Sequence, residues 1–277
     1  MEKVYEASGK LAVISCTHGN IPALEAVLAD IAARGIKRLI HLGDSVGYGP
    51  EPEALVSLLQ ERKISSIQGC WDKTVAEGQD DCGCEFLDEE EARRGEELFA
   101  WTFKRVSMET RKYLGSLPAR IRLKAPCGTV LFVHGSPRSP NEYLSEDKDP
   151  LVLLERAHSA ECDFLVCGHT HVPFIQKVSG SVSVEKAHPS IEDTGISEMI
   201  VKSKYVYNVG SVGEPLHGSD ATYLIMDLNT GDAEIVHVPF DIEETLRRMK
   251  NACVPSFVIE RFQDNEEITR KDRIRSC

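Results

Sequence analysis

Apolar positions along the first hundred residues follow two rhythms. Leu11–Ile14 is a short continuous apolar run, the mark of a buried strand. Asn20 then stands where a helix cap belongs, with Pro22 in the first turn. Leu24, Val27, Leu28 and Ile31 recur at i, i+3, i+4 and i+7, one helical face that Gly35 closes. Arg38–Leu42 reads as a second strand. Glu51–Arg62, with Leu55, Leu58 and Leu59, reads as a second helix, and Ile64–Gln68 as a third strand. This βαβαβ order implies parallel strands joined by right-handed crossovers.

Asp88–Ser116 is helical and charged, with Leu98, Trp101 and Val106 facing inward. Beyond Pro118 strands dominate. Ile121–Lys124 and Val130–Val133 flank a turn at Pro126-Cys127-Gly128, and a helix is expected over Pro150–Ser159. Further strands are expected at Phe164–Cys167, Phe174–Val178, Val182–Glu185, Tyr205–Asn208, Tyr223–Asp227 and Glu234–Val238. Asp241 caps a last helix running through Met249, and His188–Lys202 reads as a polar loop or short excursion. No linker separates two cores. The expectation is one α/β domain over 1–262, with two sheets and outer helices, followed by a charged tail over 263–277.

Composition narrows the function classes. The 277 residues carry 44 acids against 32 bases, a net charge of −12, which disfavours a duplex nucleic acid partner. No apolar run is long enough to span a membrane, and the first residues lack a signal peptide's apolar stretch. The expected location is the cytoplasm. There, the nine cysteines are expected to be thiols, metal ligands or redox groups rather than structural disulfides.

The chemistry lies at the strand ends. Ser15-Cys16-Thr17-His18-Gly19-Asn20, Gly43-Asp44-Ser45-Val46-Gly47-Tyr48-Gly49-Pro50 and Gly69-Cys70-Trp71-Asp72 follow the first three strands. His134-Gly135-Ser136-Pro137, Gly168-His169-Thr170-His171 and Asn208-Val209-Gly210-Ser211-Val212-Gly213-Glu214-Pro215 follow later ones. Ligands gather beyond the carboxyl ends of strands in open α/β sheets, and His, Asp and Cys converging there point to a metal site.

Six such loops in this order resemble the calcineurin-like metallophosphoesterases, closest to their small bacterial and archaeal phosphodiesterase branch. The resemblance covers Leu11 to Ala252. It implies a four-layer αββα sandwich of two mixed β-sheets flanked by helices. It also implies two metal ions that activate a bridging water to hydrolyse a phosphodiester or phosphomonoester. Carried over by position, Cys16, His18 and His171 fall on the first metal, Asp44 bridges, and Cys70, His134 and His169 fall on the second. Asp44 and His134 belong to the catalytic centre by the same resemblance.

Three positions depart from the family. Cys16 replaces an aspartate, Cys70 an asparagine, and Trp71 the histidine that positions phosphate and protonates the leaving group. Two thiolates and Asp44 give three negative ligands instead of two. The net charge with two divalent ions falls from +2 to +1, which weakens polarisation of water and phosphate. Thiolates favour Zn or Fe, with Mn or Ni as alternatives, as divalent or mixed-valence pairs. Losing the acid at Trp71 removes roughly 10²–10⁴-fold for a poor leaving group. His217 stands near the site loop as a candidate replacement acid.

A plainer reading accompanies each singled-out residue. Cys127, Cys162, Cys167 and Cys253 read as core thiols, and Cys82-Gly83-Cys84 as a surface loop without metal or redox duty. His41 reads as packing, and His158, His188 and His237 as surface residues. Trp71 is either a plug over the metals or a stacking surface. Asn208 and the loop after it shape the site floor. Two other functions stay open: a metal-binding scaffold without catalysis, and a thiol sensor using Cys16 and Cys70, which would need Cα atoms about 4.4–6.8 Å apart to join.

Overall fold

The computed structural model describes residues 3–84, 88–185, 196–216 and 219–264. The expectations for His188, His217 and the tail beyond residue 264 lie outside the described residues, as do parts of 79–90 and 188–202; residues 263–264 of the expected tail are helical.

Five strands form one sheet: β2 (Lys10–Ile14), β3 (Leu39–His41), β4 (Ser65–Ser66), β10 (Asp220–Asp227) and β11 (Ala233–Pro239), in the order β11-β10-β2-β3-β4. The three strands of the βαβαβ unit, β2, β3 and β4, pair in parallel; β10 and β11 pair antiparallel. The second sheet holds β1 (Lys3–Glu6), β5 (Ile121–Ala125), β6 (Gly128–Phe132), β7 (Phe164–Cys167), β8 (Phe174–Glu185) and β9 (Ile196–Asn208), in the order β1-β5-β6-β7-β9-β8. It too is mixed.

Alternation along each strand builds the layers. Leu11 and Val13 of β2 face the other sheet and meet Phe132, Phe164 and Val166 in the central core. Ala12 and Ile14 face the opposite way, onto α1 (Ile21–Ala33) and α2 (Pro52–Glu61). On the far side, α6 (Pro150–Ser159) packs Leu153 and Leu154 on Leu131, Leu165 and Val206. The result is the expected αββα sandwich. A separate helical group packs around Trp71, Leu98 and Phe99. It comprises α3 (Cys70–Glu77), α4 (Glu89–Phe103), α5 (Met108–Ser116), α7 (Ile242–Asn251) and α8 (256–264).

Several boundaries differ from expectation. The charged stretch is two helices, because Ser107 breaks the run and caps α5 by accepting from Thr110 N at 3.1 Å. Phe174 to Glu185 is one long strand with an irregularity between Val178 and Gly180, and its partner β9 takes in residues 196–202 of what reads as a polar loop. β4 shrinks to two residues. Among the described residues no helix is long and apolar enough to cross a membrane.

Candidate metal centre

Each predicted ligand sits where a strand gives way to a loop or helix. Cys16 and His18 follow β2, Asp44 follows β3, His134 follows β6, and His169 and His171 follow β7. Cys70 is the first residue of α3 rather than a loop residue. Five of these residues (Cys16, His18, Asp44, His169 and His171) adopt positive φ between 46° and 66°. That conformation costs an L-residue roughly 1–2 kcal/mol. Cross-loop bonds hold it: Cys16 N donates to Gly43 O at 3.0 Å, His18 N to Asp44 O at 2.9 Å, and Gly168 N to His134 O at 2.8 Å. Two glycines are required by close approach. A Cβ on Gly69 would overlap Asp44, and one on Gly168 would overlap Ser15.

All seven predicted ligands come together, in two buried clusters. Asp44, Cys70, His134 and His169 have donor atoms within 4.8 Å of one another; so do Cys16, His18 and His171. Asp44 Oδ2 lies 3.2 Å from His134 Nε2, 3.4 Å from Cys70 Sγ and 4.0 Å from His18 Nε2, so it stands between the clusters. Cys70 Sγ is 3.7 Å from both His134 Nε2 and His169 Nδ1.

The surrounding bonds test whether a cation fits. His18 Nδ1 donates to Val46 O at 2.9 Å and His134 Nδ1 to Leu42 O at 2.8 Å; a carbonyl only accepts, so those nitrogens carry the protons. In the neutral rings each Nε2 then aims a lone pair inward. His18 Nε2 meets His171 Nε2 at 3.0 Å, and two facing lone pairs at that distance require a cation or a proton between them. Thiols, a carboxylate and imidazoles converging this way fit a divalent metal with soft character.

The metal-free electrostatics agree. Burial alone would raise the Cys16 thiol, but the adjoining His171 and His18 more than offset it and hold it at about 5. Burial opposes charge on His171 and His134, yet Cys16 raises the one to about 10 and Asp44 the other to about 10. The Asp44 carboxyl is held well below its ordinary value against burial, chiefly by His134. Burial pushes the Cys70 thiol well up and His169 down to about 3.

Residues 10–231 match the model of the calcineurin-like phosphoesterase superfamily domain. The chain belongs to that family. An uncharacterized protein of Methanocaldococcus jannaschii, MJ0912, is 34% identical over 255 residues, covering 91% of this chain and 96% of that protein. The crystal structure of a metallophosphoesterase from Sphaerobacter thermophilus aligns over 94% of this chain and 100% of its own, at 27% identity and a TM-score of 0.68. The hypothetical protein PH1004 of Pyrococcus horikoshii aligns over 91% and 97%, with 20% identity and a TM-score of 0.70, a likeness of fold.

In this calcineurin-like chain, three supporting residues escape a reading of motifs. Asp72 accepts from Asp44 N at 2.8 Å, Ser45 N at 2.9 Å and Gly69 N at 3.1 Å, tying the second loop to the start of α3. Glu214 lies 3.2 Å from His171 Nδ1, and its other oxygen is 3.1 Å from Arg261 Nε of α8. Both contacts are ion pairs whose angles fall short of hydrogen-bond geometry. Burial would raise the Glu214 carboxyl, but Arg261 and His171 hold it below its ordinary value.

Other positions are corrected or settled. Trp71 is 2% exposed and packed between Tyr48 and Phe99, so little of its ring is free to stack on a ligand. Its backbone N–H donates to Asp44 Oδ1 at 2.9 Å, so the positive end of α3 supports that carboxylate. His41 is buried and neutral, pushed down to about 3 by burial. His158 and His237 are exposed, and Asn208 Nδ2 holds the floor by donating to Gly168 O at 2.8 Å. Cys127 is only half-buried, in the β5–β6 turn at the edge of the central core, and Cys253 is exposed, in the turn after α7. Cys82 and Cys84 do not lie on an open surface loop: Cys82 is buried, and Cys84, half-buried, has its Sγ 3.9 Å from Cys70 Sγ. The eight described cysteines are all free, Cys16 and Cys70 included.

Proposed function

We propose that this protein is a phosphoester hydrolase whose substrate is a small phosphodiester or phosphomonoester, acting through a two-metal centre with thiolate ligands. The convergence of all seven predicted ligands into two clusters joined by Asp44 carries the reading. Cys16, His18 and His171 would hold one ion and Cys70, His134 and His169 the other, with Asp44 placed between the two clusters. Such a pair supplies a low-pKa water and a clamp on the phosphoryl oxygens.

The chain's own groups do the rest. Asp44, fixed by Trp71 N and by the loop that Asp72 ties down, keeps the clusters in register. Beside them a cleft of about 620 Å³ is lined by Tyr48, Trp71, Tyr143, Arg94 and Arg261. Tyr48 touches the His18 ring at 4.9 Å and Tyr143 the His169 ring at 4.2 Å, so this cleft opens beside both clusters. Arg94 and Arg261, each ion-paired with a glutamate, share that lining with Glu91, Glu260 and Asp264, so an anionic ester would be drawn by the metal clusters rather than by the cleft wall. Trp71 places an apolar ring where relatives carry an acid, which restricts good turnover to esters whose leaving group departs without protonation. His217 remains the candidate to supply that proton for poorer ones.

Turnover of an activated aryl phosphodiester and its monoester, by reduced protein loaded with Zn, Fe, Mn or Ni, tests the proposal. Hydrolysis that disappears in Asp44→Asn supports it. Full metal loading with no hydrolysis of either ester would leave the non-catalytic scaffold in its place.

A further inference from the structure

The Cys82-Gly83-Cys84 loop is built onto the site. Asn141, from the loop that follows His134, donates through Nδ2 to Cys82 O at 3.1 Å and Gly83 O at 2.9 Å. Gly83 takes φ of +68°, and its N–H donates to Asp81 Oδ1 at 2.7 Å. These bonds bring Cys84 Sγ to 3.9 Å from Cys70 Sγ. Cys70 is fully buried; Cys84 is half-buried and lines the cleft.

The spacing has a metal-ligand value. Two thiolates at about 2.3 Å on one Zn lie about 3.8 Å apart at a tetrahedral angle and about 4.0 Å apart in the equator of a five-coordinate ion, and a thiolate and an imidazole on that ion about 3.5–3.8 Å apart. The observed 3.9 Å between Cys70 and Cys84, and 3.7 Å from Cys70 to His134 and His169, fall in those ranges, with Cys84 on the outer side of the four donors that lie within 4.8 Å of one another. A van der Waals pair of thiols needs no such loop anchoring.

We propose that Cys84 is a further thiolate ligand of the second metal, placed on its cleft side. The inference rests on the two-metal reading above. It adds a fourth negative ligand to Asp44, Cys16 and Cys70, so two divalent ions are neutralised. Such a centre retains a soft metal more tightly and attracts a phosphate less than a carboxylate–amide site does.

The test uses the full chain, reduced and metal-free, titrated with Co²⁺ to two equivalents without oxygen. Sulfur-to-cobalt charge-transfer absorbance is read for the natural protein, Cys84→Ser and Cys82→Ser. With three thiolate ligands reduced to two, Cys84→Ser is expected to lose about one third of the band. Cys82→Ser, in the same loop, is expected to retain it. An unchanged band in Cys84→Ser, or an equal loss in Cys82→Ser, overturns the inference. So does a thiol count showing Cys70 and Cys84 joined as a disulfide in metal-free protein prepared without reductant. Failure to take up Co²⁺ at all would instead remove the two-metal reading and this inference with it.

Discussion

His18 Nε2 and His171 Nε2 face each other at 3.0 Å inside a buried site. Val46 O fixes the proton of His18 on its far nitrogen, so in the metal-free protein the His171 proton fills the gap. A metal has to displace it. The His134 and His171 rings, both raised to about 10, are protonated at pH 7, and the Cys70 thiol, pushed up by burial, keeps its proton too. Cys16, held at about 5, is already ionised.

Metal uptake at pH 7 is therefore expected to release about three protons per chain from these groups, and a fourth where Cys84, whose thiol is pushed up by Cys70 and by burial, also ligates. The sign follows: groups that must deprotonate to bind make affinity rise with pH, so binding is tighter at pH 8 than at pH 6. Calorimetric titration with Zn²⁺ in two buffers of different ionisation heat measures the release. Uptake without proton release would show that these rings are not the ligands.

Glu214 holds the His171 ring from outside, at 3.2 Å from Nδ1. Carboxylates in that position orient the ligand and raise its basicity. Glu214→Gln is expected to weaken the first metal's affinity by roughly 10–100-fold, with the second metal little changed. Competition against a chelator of known affinity, resolving the two binding steps, reads the difference.

Asp72 has a structural duty. Asp72→Ala would leave the N–H groups of Asp44, Ser45 and Gly69 buried without an acceptor. At about 1 kcal/mol or more for each, the expected loss of stability is about 3 kcal/mol, read from denaturant unfolding of the metal-free protein. A loss below 1 kcal/mol would mean that the two loops stay tied without this carboxylate.

Much of this was legible in the chain. The parallel βαβαβ unit is written in its apolar rhythm and in Asn20, whose side chain accepts from Ala23 N at 3.2 Å. The seven ligands are legible because each stands in a short loop at a strand end. The supporting residues are not. Glu214 sits in an irregular loop and meets Arg261 only through the fold, and Asp72 acts through backbone atoms of distant residues. The start of α3 is hidden because Gly69-Cys70-Trp71 carries no periodic signal, and the short edge strand β1 exists through pairing with β5. Cys84 reaches Cys70 from a loop whose backbone Asn141 holds in place, a contact that no local pattern announces.

The three departures from the family have a joint consequence. Cys16→Asp, Cys70→Asn and Trp71→His together restore the charge of the centre and the missing acid. On a poor leaving group the triple variant is expected to turn over roughly 10²–10⁴-fold faster, and on an activated aryl ester to gain much less. Equal gains on both would assign the effect to metal charge alone.

The central claim is hydrolysis at a two-metal site in which Asp44 joins both clusters. Its most direct measurement is phosphodiester turnover by the reduced, metal-free protein as Zn²⁺ is added in known equivalents. The expected rate is negligible below one ion per chain, climbs between one and two, and then levels off, with no such rise in Asp44→Asn. Two tightly held ions per chain without turnover, or turnover that survives Asp44→Asn, would contradict it.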